Sequence, residues 1–195
     1  MLLLITGIIL ASGFSTRVNR EKLILNVGGV PIIERVIRAV KFSHIDEVLI
    51  IYQNDKIKEI AEKYSIKTVY NERANEGQSA AIKTGIQSAH PDTDGFMFLV
   101  GDQPYLNSNT INKLIDTFKR EKQTIVVPVY AGKRGNPVIF PSKLREDLLN
   151  ITGDCGGRVI IDRMTDSVKL VNINKSIVGI DINTEDEYEK YKNVK

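Results

Sequence analysis

Residues 4–22 constrain the fold more than any other part of this 195-residue chain. They open with apolar, β-branched residues typical of a buried strand, and then break into the small-residue sequence ASGFST. Two cations, Arg17 and Lys22, follow this break. Small residues let backbone N–H groups approach an anion, and the cations would neutralise its charge. The segment therefore predicts a first strand that ends in a loop for a polyphosphate ligand.

This loop fits neither of two common phosphate-binding motifs. A dinucleotide-binding fingerprint requires G-x-G-x-x-G, which the residues after Gly7 do not supply. A P-loop requires a second Gly five residues after the first, where this chain has Ser12. The segment instead has the pattern L-A-x-G-x-S-x-R with a Lys farther on, formed by Leu10, Ala11, Gly13, Ser15, Arg17 and Lys22.

Apolar runs with strand spacing and with helical spacing alternate up to about residue 130. This alternation predicts a mostly parallel sheet with helices on its faces. After residue 131, turn-rich segments separate shorter elements. The predicted strands cover 3–10, 48–52, 67–70, 96–100, 125–130, 138–140, 168–171 and 178–182, and the predicted helices cover 32–40, 57–64, 79–89, 110–120, 141–149, 158–164 and 184–192.

Charge and cysteine content exclude several classes of function. A net charge of +3 is too small to indicate nucleic-acid binding, and no apolar run reaches the roughly 20 residues that span a bilayer. The single cysteine, Cys155, cannot form an intramolecular disulfide, so a reducing, cytoplasmic location is expected. We predict that His44 and His90 lie on the surface, which argues against thiol catalysis and a zinc site.

Asp102 is the sharpest single candidate for chemistry. It follows the fully apolar run 96–100 within the sequence Gly-Asp-Gln-Pro. Its carboxylate would therefore lie at the carboxyl edge of a parallel sheet, where open α/β folds bind ligands. Carboxylate oxygens are preferred Mg²⁺ ligands, whereas the alternative role is a turn cap before Pro104.

These motifs together resemble the molybdenum cofactor cytidylyltransferases of the MobA-like nucleotidyltransferase superfamily. The resemblance covers nearly all of the chain and includes the segments GNPV at 135–138 and GDCGGR at 153–158. It implies a Rossmann-like three-layer α/β/α fold with a mostly parallel sheet. It also implies transfer of CMP from CTP to the phosphate of a molybdopterin-type cofactor, with release of pyrophosphate and dependence on Mg²⁺ or Mn²⁺. The partners implied are these two substrates and, transiently, a molybdenum hydroxylase, without nucleic acid or membrane.

The resemblance also assigns roles to individual residues. Arg17 would hold the β- and γ-phosphates, Lys22 would reach the α-phosphate, and Asp102 would bind the metal with Asn183. The nucleotide would contact Leu10, Ala11, Ser12, Gly13, Ser15, Gly77, Gln78 and Ser79, and the acceptor would contact Asn136, Pro137, Asp154 and Arg158, with Gly156 and Gly157 near its phosphate. One domain over 1–195 is expected, with nucleotide binding in about 1–130 and acceptor binding in about 131–195.

Several alternatives remain open. The family usually has Gly and Asp where this chain has Asn19 and Asn183. A guanylyltransferase that uses GTP is the nearest rival, because Ala-Ala-Gly accompanies cytidine, Ala-Gly-Gly accompanies guanine, and Ala11-Ser12-Gly13 matches neither. Other rivals are a sugar- or alcohol-phosphate nucleotidyltransferase and a non-catalytic protein that carries the cofactor to a hydroxylase. In purely structural terms, Ser79 and Thr184 would be helix caps and the Gly-rich segments would be turns.

Overall fold

The computed structural model describes residues 3–13, 21–121 and 123–194. Within them, eight strands form one sheet in the order β10-β7-β9-β6-β1-β4-β5, with β8 paired to β7, and two more strands form a hairpin. The strands are β1 (Ile5–Ala11), β2 (Asn26–Val27), β3 (Val30–Pro31), β4 (Glu47–Tyr52), β5 (Lys67–Tyr70), β6 (Gly95–Val100), β7 (Ile125–Tyr130), β8 (Lys133–Arg134), β9 (Val138–Pro141) and β10 (Val168–Ile173).

Helices follow most of the strands, as the apolar spacing predicts. The first turns of two of them are closed by asparagine side chains: Asn54 accepts from the Lys56 amide and Asn107 from the Thr110 amide. The helices are α1 (Ile32–Lys41), α2 (Asp55–Glu62), α3 (Gln78–Ser88), α4 (Ser108–Arg120), α5 (Arg145–Leu149), α6 (Arg158–Arg163) and α7 (Glu185–Tyr191). Across the described part of the chain, no helix has the length and apolarity needed to cross a membrane.

The sheet is buried on both faces, which confirms the predicted three-layer arrangement. One face packs against buried side chains of α1, α2 and α4, and the other packs against those of α3, α5 and α6. The strands β6 and β7 consist almost entirely of buried apolar residues, because each face of a central strand meets a helix layer. This is why the sequence has continuous apolar runs there instead of alternation.

The connection order creates a switch point beside β1. From β1 the chain moves outward through β4 to β5, and then returns to β6 on the other side of β1. Both neighbours are parallel to β1, and Leu10 is in register with Val100, so β1 and β6 end together. In open α/β sheets, ligands bind at the carboxyl edge of such a switch point.

The antiparallel strand β9 brings a later part of the chain to the same edge. It lies between β6 and β7, and Val138 at its beginning is in register with Phe98 near the end of β6. Residues 131–137, which join β7 to β9, therefore lie beside the carboxyl ends of the parallel strands. A turn cluster distant in sequence thus borders the same face of the molecule as Asp102.

The predicted strand over residues 178–182 is wrong. Residues Ser176–Gly179 form a 3₁₀ turn, in which the Val178 amide donates to the Lys175 carbonyl. The Ile182 amide donates to the Asp102 carbonyl at 3.0 Å, so this segment runs along the Asp102 loop and joins no strand of the sheet. The predicted helix over 141–149 begins as a 3₁₀ turn, Ser142–Leu144, before α5. The sequence analysis did not predict the β2–β3 hairpin or β8.

Candidate active site

Lys22, Asp102 and Asn183 meet at the carboxyl edge of the sheet. The Lys22 Nζ donates to Asp102 Oδ2 at 2.7 Å and to Asn183 Oδ1 at 3.1 Å. The side chains of Lys22 and Asp102 are only 14% and 17% exposed, so their attraction is weakly screened by solvent. Three residues that are far apart in the sequence therefore form one hydrogen-bonded cluster.

Backbone contacts hold the segments that carry this cluster. Arg35 on α1 donates from Nε to the Pro104 carbonyl at 2.8 Å and from Nη1 to the Val27 carbonyl at 3.1 Å. One guanidinium thereby joins the loop after Asp102 to the hairpin after Lys22. On the other side, the Asn183 amide donates to Glu187 Oε2 at 2.7 Å, within a capping box at the start of α7.

Asp181 is a member of this site that sequence reasoning did not assign. Burial and, after it, the nearby Asp102 carboxylate raise the pKa of Asp181 to about 6, while Gln103 and Lys22 act in the opposite direction. Such a shift indicates two carboxylates close together at low solvent exposure. The available signal was the position of Asp181 two residues before Asn183, which places both near one point when the backbone is extended.

The donor set of the cluster suits a divalent cation. Asp102 Oδ1, Gln103 Oε1 and Asp181 Oδ1 are buried and accept no hydrogen bond from the described residues. Buried carboxylate oxygens without donors are costly unless a cation binds them. Within the described ranges, no group of three or more His, Cys, Asp and Glu side chains could hold a metal. This cluster offers the carboxylates of Asp102 and Asp181 together with the amide oxygens of Gln103 and Asn183. Mg²⁺ is typically bound this way, with substrate phosphates and water completing its shell.

A cavity of about 610 Å³ opens above the ends of β1 and β6. Ser12 forms part of its wall, and its Oγ accepts a hydrogen bond from Asn71 Nδ2 at 2.8 Å, which fixes the side chain. Besides Lys22 and Asp102, the predicted nucleotide-binding residues that line this cavity are Leu10, Ser12, Gly13, Gly77 and Gln78. Ala11 and Ser79 are buried and do not line it, and Ser15, Arg17 and Asn19 lie outside the described residues.

The start of α3 corrects the interpretation of Ser79 as a helix cap. The helix begins at Gln78 with Gly77 in the capping position, and the Ser79 amide donates to the Gly153 carbonyl at 3.2 Å. Gly77 has a φ of 88°, and a Cβ there would lie 2.8 Å from backbone atoms of Gly153 and Asp154. Only glycine fits both conditions, and its absent side chain lets the 153–158 segment pack against α3.

A second cavity, of about 820 Å³, lies beside the first. Its lining is apolar where the sheet meets α3 and α6, and includes Phe98 and Phe140, which pack edge to face with ring centroids 5.9 Å apart. Of the predicted acceptor residues, Asn136, Asp154 and Arg158 line this cavity, whereas Pro137 is buried and does not. The Tyr130 hydroxyl donates to the Asn136 carbonyl at 2.7 Å and orients that turn.

The two cavities share one wall. Four residues line both of them: Leu10, Gln78, Val100 and Asp154. The Gln78 amide donates to Asp154 Oδ1 at 3.3 Å, and this contact joins α3 to the 153–158 segment at the boundary. Two ligands could therefore meet end to end, with the reacting groups near Lys22 and Asp102.

The remaining candidates for chemistry lie away from this cluster. His44 and His90 are exposed, which confirms their predicted surface positions. Cys155 is also exposed and lines the second cavity.

Comparison with curated proteins identifies several relatives. The chain is 29% identical over 130 residues to a probable molybdenum cofactor guanylyltransferase from Natranaerobius thermophilus, covering 66% of this chain and 62% of that protein. It is 28% identical to the bifunctional protein GlmU from Acetivibrio thermocellus over 89% of this chain, and spans only 36% of that protein. It is also 25% identical to the nicotine blue oxidoreductase of Paenarthrobacter nicotinovorans, over 92% of each chain.

Among solved structures, Rv0371c from Mycobacterium tuberculosis H37Rv shares the fold. It superposes with a TM-score of 0.83 at 22% identity, covering 96% of this chain and 97% of that protein, and it has also been crystallised as a complex with manganese. The family described as the MobA-like NTP transferase domain matches residues 7–168. The chain belongs to this family of nucleotidyltransferases.

Proposed function

We propose that this protein transfers CMP from CTP to the phosphate of a molybdopterin-type cofactor and releases pyrophosphate. One observation carries the proposal: two adjoining cavities share a wall next to the Lys22–Asp102 pair. A transferase that joins two bound molecules requires this arrangement. The product would pass to a molybdenum hydroxylase through a transient complex.

In the proposed reaction, an oxygen of the acceptor phosphate forms a bond to the α-phosphorus of CTP. The bond from that phosphorus to the β-bridging oxygen breaks, and pyrophosphate leaves with the electron pair. The acceptor phosphate is already an anion, so the step requires no general base. Catalysis therefore depends on positioning and on charge stabilisation, with Lys22 at the α-phosphate and Arg17 at the β- and γ-phosphates.

Asp102, Asp181 and Asn183 would hold Mg²⁺, or Mn²⁺, through their oxygens. When bound, the metal would neutralise negative charge on the triphosphate. The buried oxygens of Asp102 and Asp181 that lack donors support this assignment. In the structure, the Lys22 ammonium group donates to both Asp102 and Asn183. A positive charge of the protein itself therefore lies between two of the proposed metal ligands.

Ser12 supports CTP over GTP as the substrate. Its side chain forms part of the first cavity's wall, and the bond from Asn71 prevents it from turning away. A glycine here would leave a wider slot for a purine, whereas a Cβ and hydroxyl favour the smaller pyrimidine. GTP is the alternative, and the guanylyltransferase name of the Natranaerobius relative favours it.

Thermal melting with Mg²⁺ and each of CTP, GTP, ATP and UTP tests the nucleotide. A ligand at about 100 times its Kd stabilises the folded state by about 2.7 kcal/mol, which melting detects readily. We expect a shift with CTP alone, and pyrophosphate release when molybdopterin is added. A shift with GTP alone would favour the guanylyltransferase, and no shift with any nucleotide would favour a cofactor-carrying protein without catalysis.

A further inference from the structure

An ionic group lines the second cavity but not the first. Arg134 Nη2 donates to Asp162 Oδ1 at 2.8 Å, and Arg158 Nε lies 3.7 Å from Asp162 Oδ2. All three residues line the second cavity, and none of them lines the first. The group is therefore placed to contact the acceptor and lies outside the wall that the two cavities share.

Asp162 and Arg134 retain hydrogen-bonding capacity for a ligand. A carboxylate has about four acceptor positions, and within the described residues the hydrogen bond from Arg134 occupies one of those of Asp162. The distance between Arg158 Nε and Asp162 Oδ2 is too long for a hydrogen bond. The side chains of Arg134 and Asp162 are 44% and 49% exposed, so neither is enclosed by protein. An acceptor-only group therefore stands beside a donor-only group at the cavity mouth.

The apolar surface of the second cavity suits a flat ring system. Phe98 and Phe140 lie on the sheet there, and both are almost fully buried beneath the cavity. Arg134 extends from β8, and Asp162 lies on α6, so strand and helix elements fix both ends of the contact. A fused heteroaromatic ring could lie on the apolar surface with its polar edge at Asp162 and Arg134.

We propose that Asp162 and Arg134 recognise the aminopyrimidinone edge of a pterin-type ring, an inference that rests on the proposed acceptor. The Asp162 carboxylate accepts hydrogen bonds from the ring N3–H and the 2-amino group. The Arg134 guanidinium donates to the 4-oxo group. Such a pairing rejects a ring with an oxygen in place of the 2-amino group, because two acceptors would then face each other.

Equilibrium binding of pterin and lumazine, followed by the fluorescence of each ring, tests this proposal. The two rings differ at position 2, where pterin has an amino group and lumazine an oxo group. We expect the protein to bind pterin about tenfold more tightly, the scale of one charge-assisted hydrogen bond. Asp162→Asn should remove this preference, whereas Asp166→Asn, an exposed control just after α6, should keep it.

A second pair of variants guards against a general structural effect. Arg134→Gln should weaken pterin binding, and Arg163→Gln should not, because Arg163 pairs with Asp147 and lines neither cavity. Equal binding of both rings by the parent protein would overturn the proposal, as would an unchanged preference in Asp162→Asn. The binding assay contains no nucleotide, so it is independent of the assay for pyrophosphate release. A protein that fails to discriminate the two rings can still release pyrophosphate, and the reverse is also possible.

Discussion

The two cavities differ in how their polar side chains are held. In the first, Lys22 and Asp102 are mostly buried. Arg35 of α1 binds the loop after Asp102, and Glu187 of α7 binds the backbone of Asn183, the partner of Lys22. In the second, Arg134 and Asp162 are about half exposed and lie on a two-residue strand and a short helix. The Lys22–Asp102 pair is thus mostly buried, whereas the Arg134–Asp162 pair is about half exposed.

This difference matches two separate tasks. Stabilising charge on a transferring phosphoryl group requires fixed groups at low dielectric, where each interaction is strong. Recognising an acceptor requires complementarity, and exposed pairs contribute little free energy each but can still discriminate. We therefore expect changes at the buried Lys22–Asp102 cluster to alter rate and stability. Changes at the half-exposed Arg134–Asp162 pair should alter acceptor selectivity. The following predictions run from the largest expected effect to the smallest.

Lys22→Ala should lower kcat by roughly two to four orders of magnitude, the scale of losing one transition-state electrostatic donor. The acceptor KM should change little, because Lys22 does not line the second cavity. Steady-state pyrophosphate release measures both constants, with Lys41→Ala on the exposed end of α1 as the control. If Lys22→Ala releases pyrophosphate as fast as the parent protein, Lys22 has no role in catalysis.

Gly77→Ala should destabilise the fold by roughly 2–4 kcal/mol, because a Cβ would meet the 153–154 backbone at a strained φ. It should also weaken the binding of both substrates, since Gly77 precedes Gln78 and packs against Asp154, and these two neighbours line both cavities. Urea unfolding measures the free energy, and Gly29→Ala is the matched control: its φ is also positive, but nothing lies within 4 Å of its added Cβ. If both variants lose the same free energy of unfolding, the positive φ alone causes the loss and the contact with the 153–154 backbone does not contribute.

Asp181→Asn should stabilise the metal-free protein at pH 8 by roughly 1–3 kcal/mol. A carboxyl whose folded pKa is raised from 3.8 to about 6 favours its protonated form, so the parent protein loses stability as pH rises through that window. The gain should vanish at about pH 3, because the carboxyl is then protonated in both folded and unfolded states. Urea titrations in EDTA across this range measure it, with exposed Asp116→Asn as the control for one lost charge. A pH-independent difference would contradict the raised pKa of Asp181 and therefore its burial beside Asp102.

Ser12→Gly should shift the ratio of kcat/KM for CTP and GTP toward GTP by about tenfold, through a wider slot for the base. The matched control is Ser12→Ala, which keeps the Cβ and loses only the hydrogen bond with Asn71. Parallel kinetics with both nucleotides measure the ratio. If Ser12→Ala shifts it as strongly as Ser12→Gly, the hydroxyl and not the width of the wall would control base choice.

The main strands were predictable because their patterns are local. Runs 67–70 and 125–130 match β5 and β7 residue for residue, since continuous apolar or β-branched runs between turns have few other stable arrangements. The strand predicted at 178–182 is absent for a non-local reason. Its residues are apolar enough for a strand, but their backbone partner is the Asp102 loop and no sheet edge.

The candidate site was partly predictable for the same reason. Asp102 follows a buried strand, and that local context was enough to place it at the ligand edge. Asp181 was missed because its importance comes from burial and a second carboxylate, neither of which a linear sequence displays. The role of Ser79 as a cap was wrong because the 153–154 backbone, distant in sequence, fixes where α3 begins.

The sequence by itself determined the layered α/β fold and the Asp at the end of β6. These depend on side-chain periodicity and on residue types that act over a few positions. Only the tertiary structure decided that Lys22 meets Asn183, that the 153–158 segment packs on Gly77, and that two cavities share a wall. Those contacts join residues brought together by strand order, and strand order arises from packing the whole core.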